Sequence, residues 1–145
     1  MKAPSETTDG LQGAPPMVAS LVLEGDGARI GLARHFAASF LGSARDAGGT
    51  PIGLKRVETA QLIVSELVTN ALRHAPGPAL LRLSVSDGTL RIEVRDGSPV
   101  APAVRAPDPA RVGQHGLEIV TALARSVSVQ AAGTGKSVTA VVGLT

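Results

Sequence analysis

Cysteine is absent from the 145 residues. That excludes a disulfide framework, a thiol nucleophile, iron–sulfur clusters and cysteine-based zinc sites. Tryptophan and tyrosine are absent as well, and Phe36 and Phe40 are the whole aromatic complement. Without aromatic platforms, single-stranded nucleic acid has nothing to stack on, and any bound purine must be packed by aliphatic side chains. Charge is scarce too. Charged residues make up 18% of the chain and the formal net charge is +2, although the pI is near 9.7. So small an excess does not support a phosphate-tracking binder of nucleic acid. The three histidines, His35, His74 and His115, form no H-E-x-x-H pair, which argues against a zinc hydrolase. The residues Met1 to Glu6 have no apolar core of signal-peptide length. No run approaches the roughly 18 apolar residues of a membrane-spanning helix. The cytoplasm is therefore the expected compartment, with no membrane partner.

What is present is a globular composition, 43% hydrophobic, in a chain the size of one domain. Residues 1–16 are rich in Pro, Gly, Ser and Thr and read as a flexible tail. Residues 17–145 read as the folded domain. Met17 to Leu23 is an apolar run with β-branched members, a strand. Gly25-Asp26-Gly27 breaks it, and Asp26 can cap a helix from about Ala28 to Ala44. In that helix Ile30, Ala33, Ala37, Phe40 and Leu41 recur at helical spacing, and Phe36 and Phe40 stand four apart. A second helix spans about Leu54 to Ala75 and is stopped by Pro76-Gly77-Pro78. Ala79 to Val85 and Leu90 to Val94 are strands around Asp87-Gly88, a tight-hairpin signal. A long loop, Asp96 to Val112, precedes a third helix from about Gln114 to Arg125. Ser126 to Ala131 and Lys136 to Leu144 are two further strands. Consecutive hairpins with helices set apart predict an α+β fold, a mostly antiparallel sheet with its helices on one face.

Four constellations can carry chemistry. On the second helix Val57, Ala60, Ile63, Val64, Leu67, Val68, Ala71 and Leu72 fill one broad arc. Glu66, Asn70 and His74 form a stripe along its edge. A carboxylate at such a boundary is partly desolvated and suits a general base, and a carboxamide oxygen one turn on suits Mg²⁺. The plain alternative is that both are ordinary surface residues. Second, Asp96 follows a strand, where a carboxylate can accept from an exocyclic amine such as adenine's. Gly97 lets backbone approach a ligand closely. An unremarkable turn would look the same. Third, Gly113, Gln114, His115, Gly116 and Leu117 open the third helix, where glycines suit an anion site or merely close packing. Fourth, Gly133-Thr134-Gly135-Lys136-Ser137 resembles a phosphate-binding P-loop. Gln130 stands where that motif needs Gly, and β-rich sequence follows instead of a helix. It reads as a hairpin turn whose Gly135 and Lys136 can border a nucleotide pocket.

Taken in order, these segments resemble the histidine-kinase-like ATPase superfamily, the GHKL or Bergerat-fold group. Ser65 to Ala75 is very like its N box. Asp96 to Pro99 stands at its G1 box, Gly113 to Leu117 at its G2 box, and Gly133 to Val138 at its last glycine segment. Within the group the chain most resembles the small stand-alone anti-sigma-factor serine/threonine kinases of actinobacteria. The resemblance implies a two-layer α/β sandwich with a mixed, mostly antiparallel sheet, ATP lying between helices and sheet. It implies that Asn70 binds Mg²⁺ and through it the phosphates, that Glu66 is the general base, and that Asp96 holds the adenine amine. Gly113, His115 and Gly116 would shape a lid by the phosphates. His74 lies within the N box and is no phosphoacceptor. Ser98 stands where a second G1 glycine is usual, and Gln114 and His115 depart from the G2 pattern, which implies a stiffer lid. The implied partners are a sigma factor, a small antagonist protein, or both. The competing readings are a docking module without catalysis and an ATPase domain detached from a larger system. The first helix is a candidate dimer or partner face, though core packing explains its phenylalanines more simply.

Overall fold

The computed structural model describes residues 16–24, 29–48, 51–74, 77–97, 116–132 and 135–144. The elements follow the order β1 (Met17–Leu23), α1 (Arg29–Gly48), α2 (Leu54–His74), β2 (Ala79–Ser86), β3 (Thr89–Asp96), α3 (Gly116–Leu123), β4 (Ser126–Ala132) and β5 (Gly135–Gly143). The expected tail, the Asp26 cap and most of the 96–112 loop lie outside the described residues.

Each helix forms where apolar residues recur at helical spacing, and each buries that stripe. On α1, Ala33, Ala37, Phe40, Leu41 and Ala44 are buried, and Phe36 packs partly against the same core. The phenylalanines are therefore core residues, while His35 is exposed. On α2, Ala60, Ile63, Val64, Leu67, Val68 and Ala71 are buried, with Val57 and Leu72 at the margin. Full burial of a Leu, Ile or Val stabilises by about 1.5–3 kcal/mol, so this arc is a principal anchor of the helix layer. The carbonyl of Gly53 accepts from Arg56 N–H and Val57 N–H at 3.1 and 3.2 Å, which closes the first turn of α2.

The five strands form one sheet in the order β1-β2-β3-β5-β4. Every pairing among the described strands is antiparallel, so the expected mostly antiparallel sheet is wholly so here. Asp87 and Gly88 take φ of 52° and 71°, the conformation of a type I′ hairpin turn, whose twist matches the strands it joins. The Leu144 N–H donates to the Gly88 carbonyl at 2.9 Å and ties the end of the chain to that turn. Strand alternation separates the two faces. Leu81, Leu83, Leu90, Ile92, Val94, Val138, Ala140 and Val142 point to the helices and are buried. On the other face lie exposed Val18, Val22, Arg82, Arg91 and Arg95. All helices pack on the first face, as the α+β reading requires.

Register decides where the loops meet. Leu80 is paired with Arg95, and Asp96 with Lys136. The start of β2, the end of β3 and the start of β5 therefore share one end of the sheet. Four residues join the end of α2 to β2, so His74 is held near that end too. β4 begins opposite Val141, at the other end, and α3, which feeds it, packs on α2. Segments far apart in sequence thus converge on one rim.

Candidate nucleotide site

At that rim Asp96 and Lys136 stand directly opposite on β3 and β5 and face the helix layer. The Lys136 Nζ donates to Asp96 Oδ2 at 2.8 Å, and both side chains are only 2% exposed. Removing a carboxylate and an ammonium from water costs several kcal/mol each, which their attraction offsets only in close geometry. This contact is close. Among the described residues Asp96 is the one acceptor that the ammonium finds.

Gly135 opens β5 beside this pair and is buried. A Cβ there would lie 2.0 Å from the Asp96 carbonyl oxygen and 2.9 Å from Gly97 Cα. Only glycine allows the two strand ends to come this close. The residue has φ within the ordinary range, so approach rather than conformation demands it. Gly97 itself is exposed and has nothing within 4 Å of its would-be Cβ.

Glu66 and Asn70 are both half-buried on α2, at the edge of the apolar arc where the helical wheel puts them. Glu66 opens onto a cleft of about 540 Å³ between α1 and α2, lined also by Arg34, Glu58, Gln61, Ser65 and Thr69. Gln61 crosses it and donates from Nε2 to the Arg34 carbonyl at 3.1 Å. The Ser65 hydroxyl is buried there with no hydrogen-bond partner among the described residues. Asn70 is not among the lining residues. Among the described residues no hydrogen bond links Glu66 to the Asp96–Lys136 pair. Leu117 is 6% exposed and belongs to the core. Gly116 is the first residue of α3 and His74 the last of α2. Gly113 and His115 lie outside the described residues.

Two features escape a reading of the sequence. The cleft depends on α1 and α2 lying side by side, so Arg34 carries no local signal. Ser65 and Thr69 stand in the N-box-like stretch and flank Glu66, which is the one hint. The pairing of Asp96 with Lys136 spans 40 residues and follows only from strand register.

The donor set bears on what the site can hold. Among the described residues there is no cluster of three or more His, Asp or Glu able to hold a metal. Mg²⁺ bound with a nucleotide uses one or two protein oxygens and takes the rest from phosphates and water. The half-buried amide of Asn70 fits that mode.

Comparison with known proteins places the chain. A family model described as the histidine kinase-like ATPase domain matches residues 23–142. The chain belongs to this family. No curated protein matches. Among solved structures it is similar to the RsbU and RsbW domains of Rv1364c from Mycobacterium tuberculosis. The TM-score is 0.65 at 18% identity, over 90% of this chain and 32% of that one. At this identity the likeness shows the fold, and the chain spans about a third of that protein's length. No helix of the described residues is long and apolar enough to cross a membrane.

Proposed function

We propose that this histidine kinase-like ATPase domain binds ATP·Mg²⁺ and acts as a regulator of the anti-sigma-factor serine/threonine kinase type. On this reading it passes the γ-phosphoryl group to a Ser or Thr of a small antagonist protein, sequesters a sigma factor, or does both. The observation that carries the reading is convergence: Asp96, Gly135-Lys136 and the start of β2, which follows α2 after four residues, share one end of the sheet. These are the segments whose motifs resemble the nucleotide-binding boxes of the family.

Asp96 accepts a hydrogen bond from the adenine amine, and Asn70 holds Mg²⁺. The metal, when bound, neutralises phosphate charge. Gly97, Gly116 and Gly135 leave room for backbone to approach the nucleotide, while His74, Gly113, His115 and Leu117 border it. Glu66 takes the proton. The acceptor hydroxyl oxygen attacks the γ-phosphorus, the bond from that phosphorus to the bridging oxygen breaks, ADP leaves, and the hydroxyl proton passes to the Glu66 carboxylate. A pure docking module would need no base, and Glu66 separates the two readings. The test of the nucleotide site is Asp96→Asn. The variant should bind ATP at least tenfold more weakly by calorimetry, and parental affinity would sink the assignment of Asp96 to adenine.

A further inference from the structure

The buried ammonium is more than the nucleotide reading requires. A carboxylate alone suffices to accept from an exocyclic amine. Here the carboxylate has a lysine beside it, 2% exposed. An ammonium has three N–H donors, and among the described residues this one meets a single acceptor, Asp96 Oδ2 at 2.8 Å. Buried donors left without acceptors are costly, and native structures rarely tolerate them. Lys136 cannot swing out to water without leaving a buried carboxylate. It is held at the rim by strand pairing opposite Asp96 and by the close approach of Gly135 to the Asp96 and Gly97 backbone.

We infer that Lys136 is a second base-reading residue, which donates from Nζ to a ring nitrogen flanking the amine that Asp96 accepts. The inference rests on the nucleotide reading above and extends it. Because Nζ and Oδ2 are 2.8 Å apart, one ligand edge must offer a donor and an acceptor on neighbouring atoms to meet both. Adenine does so, since its amine lies between the N1 and N7 acceptors. Recognition is then carried by a charge pair inside the domain rather than by a carboxylate alone, and the ligand supplies an acceptor beyond the one the ammonium meets among the described residues.

The experiment compares ATP with 1-deaza-ATP and 7-deaza-ATP, each with one flanking nitrogen replaced by C–H. Affinities are measured by calorimetry on the full chain with Mg²⁺. A hydrogen bond to a charged group is strong enough that the parent should bind one of the two analogues roughly tenfold or more weakly than ATP. Lys136→Met should bind ATP more weakly and lose that discrimination. The paired variant Lys136→Met with Asp96→Asn, which leaves no lone buried charge, makes the same comparison if the single variant does not fold. Discrimination in the parent that vanishes with the ammonium supports the inference. Equal affinity of the parent for all three nucleotides overturns it while leaving the ATP site standing, as does discrimination that survives the loss of Lys136. Absence of binding by any of them at millimolar concentration overturns both the inference and the nucleotide reading.

Discussion

The Asp96–Lys136 pair should dominate the stability of the rim, and a double-mutant cycle measures this. Lys136→Met removes the ammonium but keeps most of the apolar stem. It takes from the Asp96 carboxylate, 2% exposed, the ammonium that lies 2.8 Å away. Losing one partner of a buried ion pair costs about 3–5 kcal/mol. For a chain of this length that lowers Tm by roughly 10–15 °C. Asp96→Asn should cost a similar amount, because the ammonium is then the lone charge. The double variant buries no net charge, so its loss should fall short of the sum of the singles by about 2 kcal/mol or more. With no Trp or Tyr in the chain, far-ultraviolet circular dichroism in urea is the suitable readout. If Lys136→Met costs under 1 kcal/mol, or the two losses simply add, the side chains are not coupled as the 2.8 Å contact requires.

Three further outcomes are expected. Gly135→Ala places a Cβ 2.0 Å from the Asp96 carbonyl oxygen and should cost about 3 kcal/mol. Gly31→Ala, on an exposed turn of α1 with nothing within 4 Å, should instead stabilise by about 1 kcal/mol. Urea midpoints of the two variants moving the same way would contradict this. Asn70→Ala should abolish the Mg²⁺-dependent part of nucleotide affinity in calorimetry, and an unchanged Mg²⁺ dependence would remove Asn70 from the metal site. Glu66→Gln should bind ATP as the parent does but lose phosphoryl transfer to an antagonist protein by at least about a hundredfold. Normal transfer would show that Glu66 is not the base.

The elements were legible because their signals are local. Periodicity places β1 at Met17–Leu23 and starts α2 at Leu54, where both are found. Asp87-Gly88 marks the hairpin for a physical reason, as both residues must take positive φ. Ends are less legible. α1 runs on to Gly48, past the expected Ala44, and α3 ends at Leu123, two residues before the expected Arg125. Pairing across distance left no local trace. That β5 lies between β3 and β4 follows from burial of whole faces, not from any short stretch. Lys136 reads in sequence as a residue bordering a pocket. Its partner appears only once register sets it opposite Asp96. Glu66 shows the same limit: the wheel places it at the edge of the core, but the cleft it opens on is half made by α1.

The central claim is that the rim gathers a nucleotide site, and the most direct measurement is ATP titration with and without Mg²⁺. It should be made by calorimetry, with thermal unfolding followed by circular dichroism. Binding should appear with Mg²⁺, raise Tm, and lose its Mg²⁺ dependence in Asn70→Ala. No heat and no shift in Tm with ATP or ADP at millimolar concentration would contradict it, and would leave a domain with the fold of an ATPase that acts by docking alone.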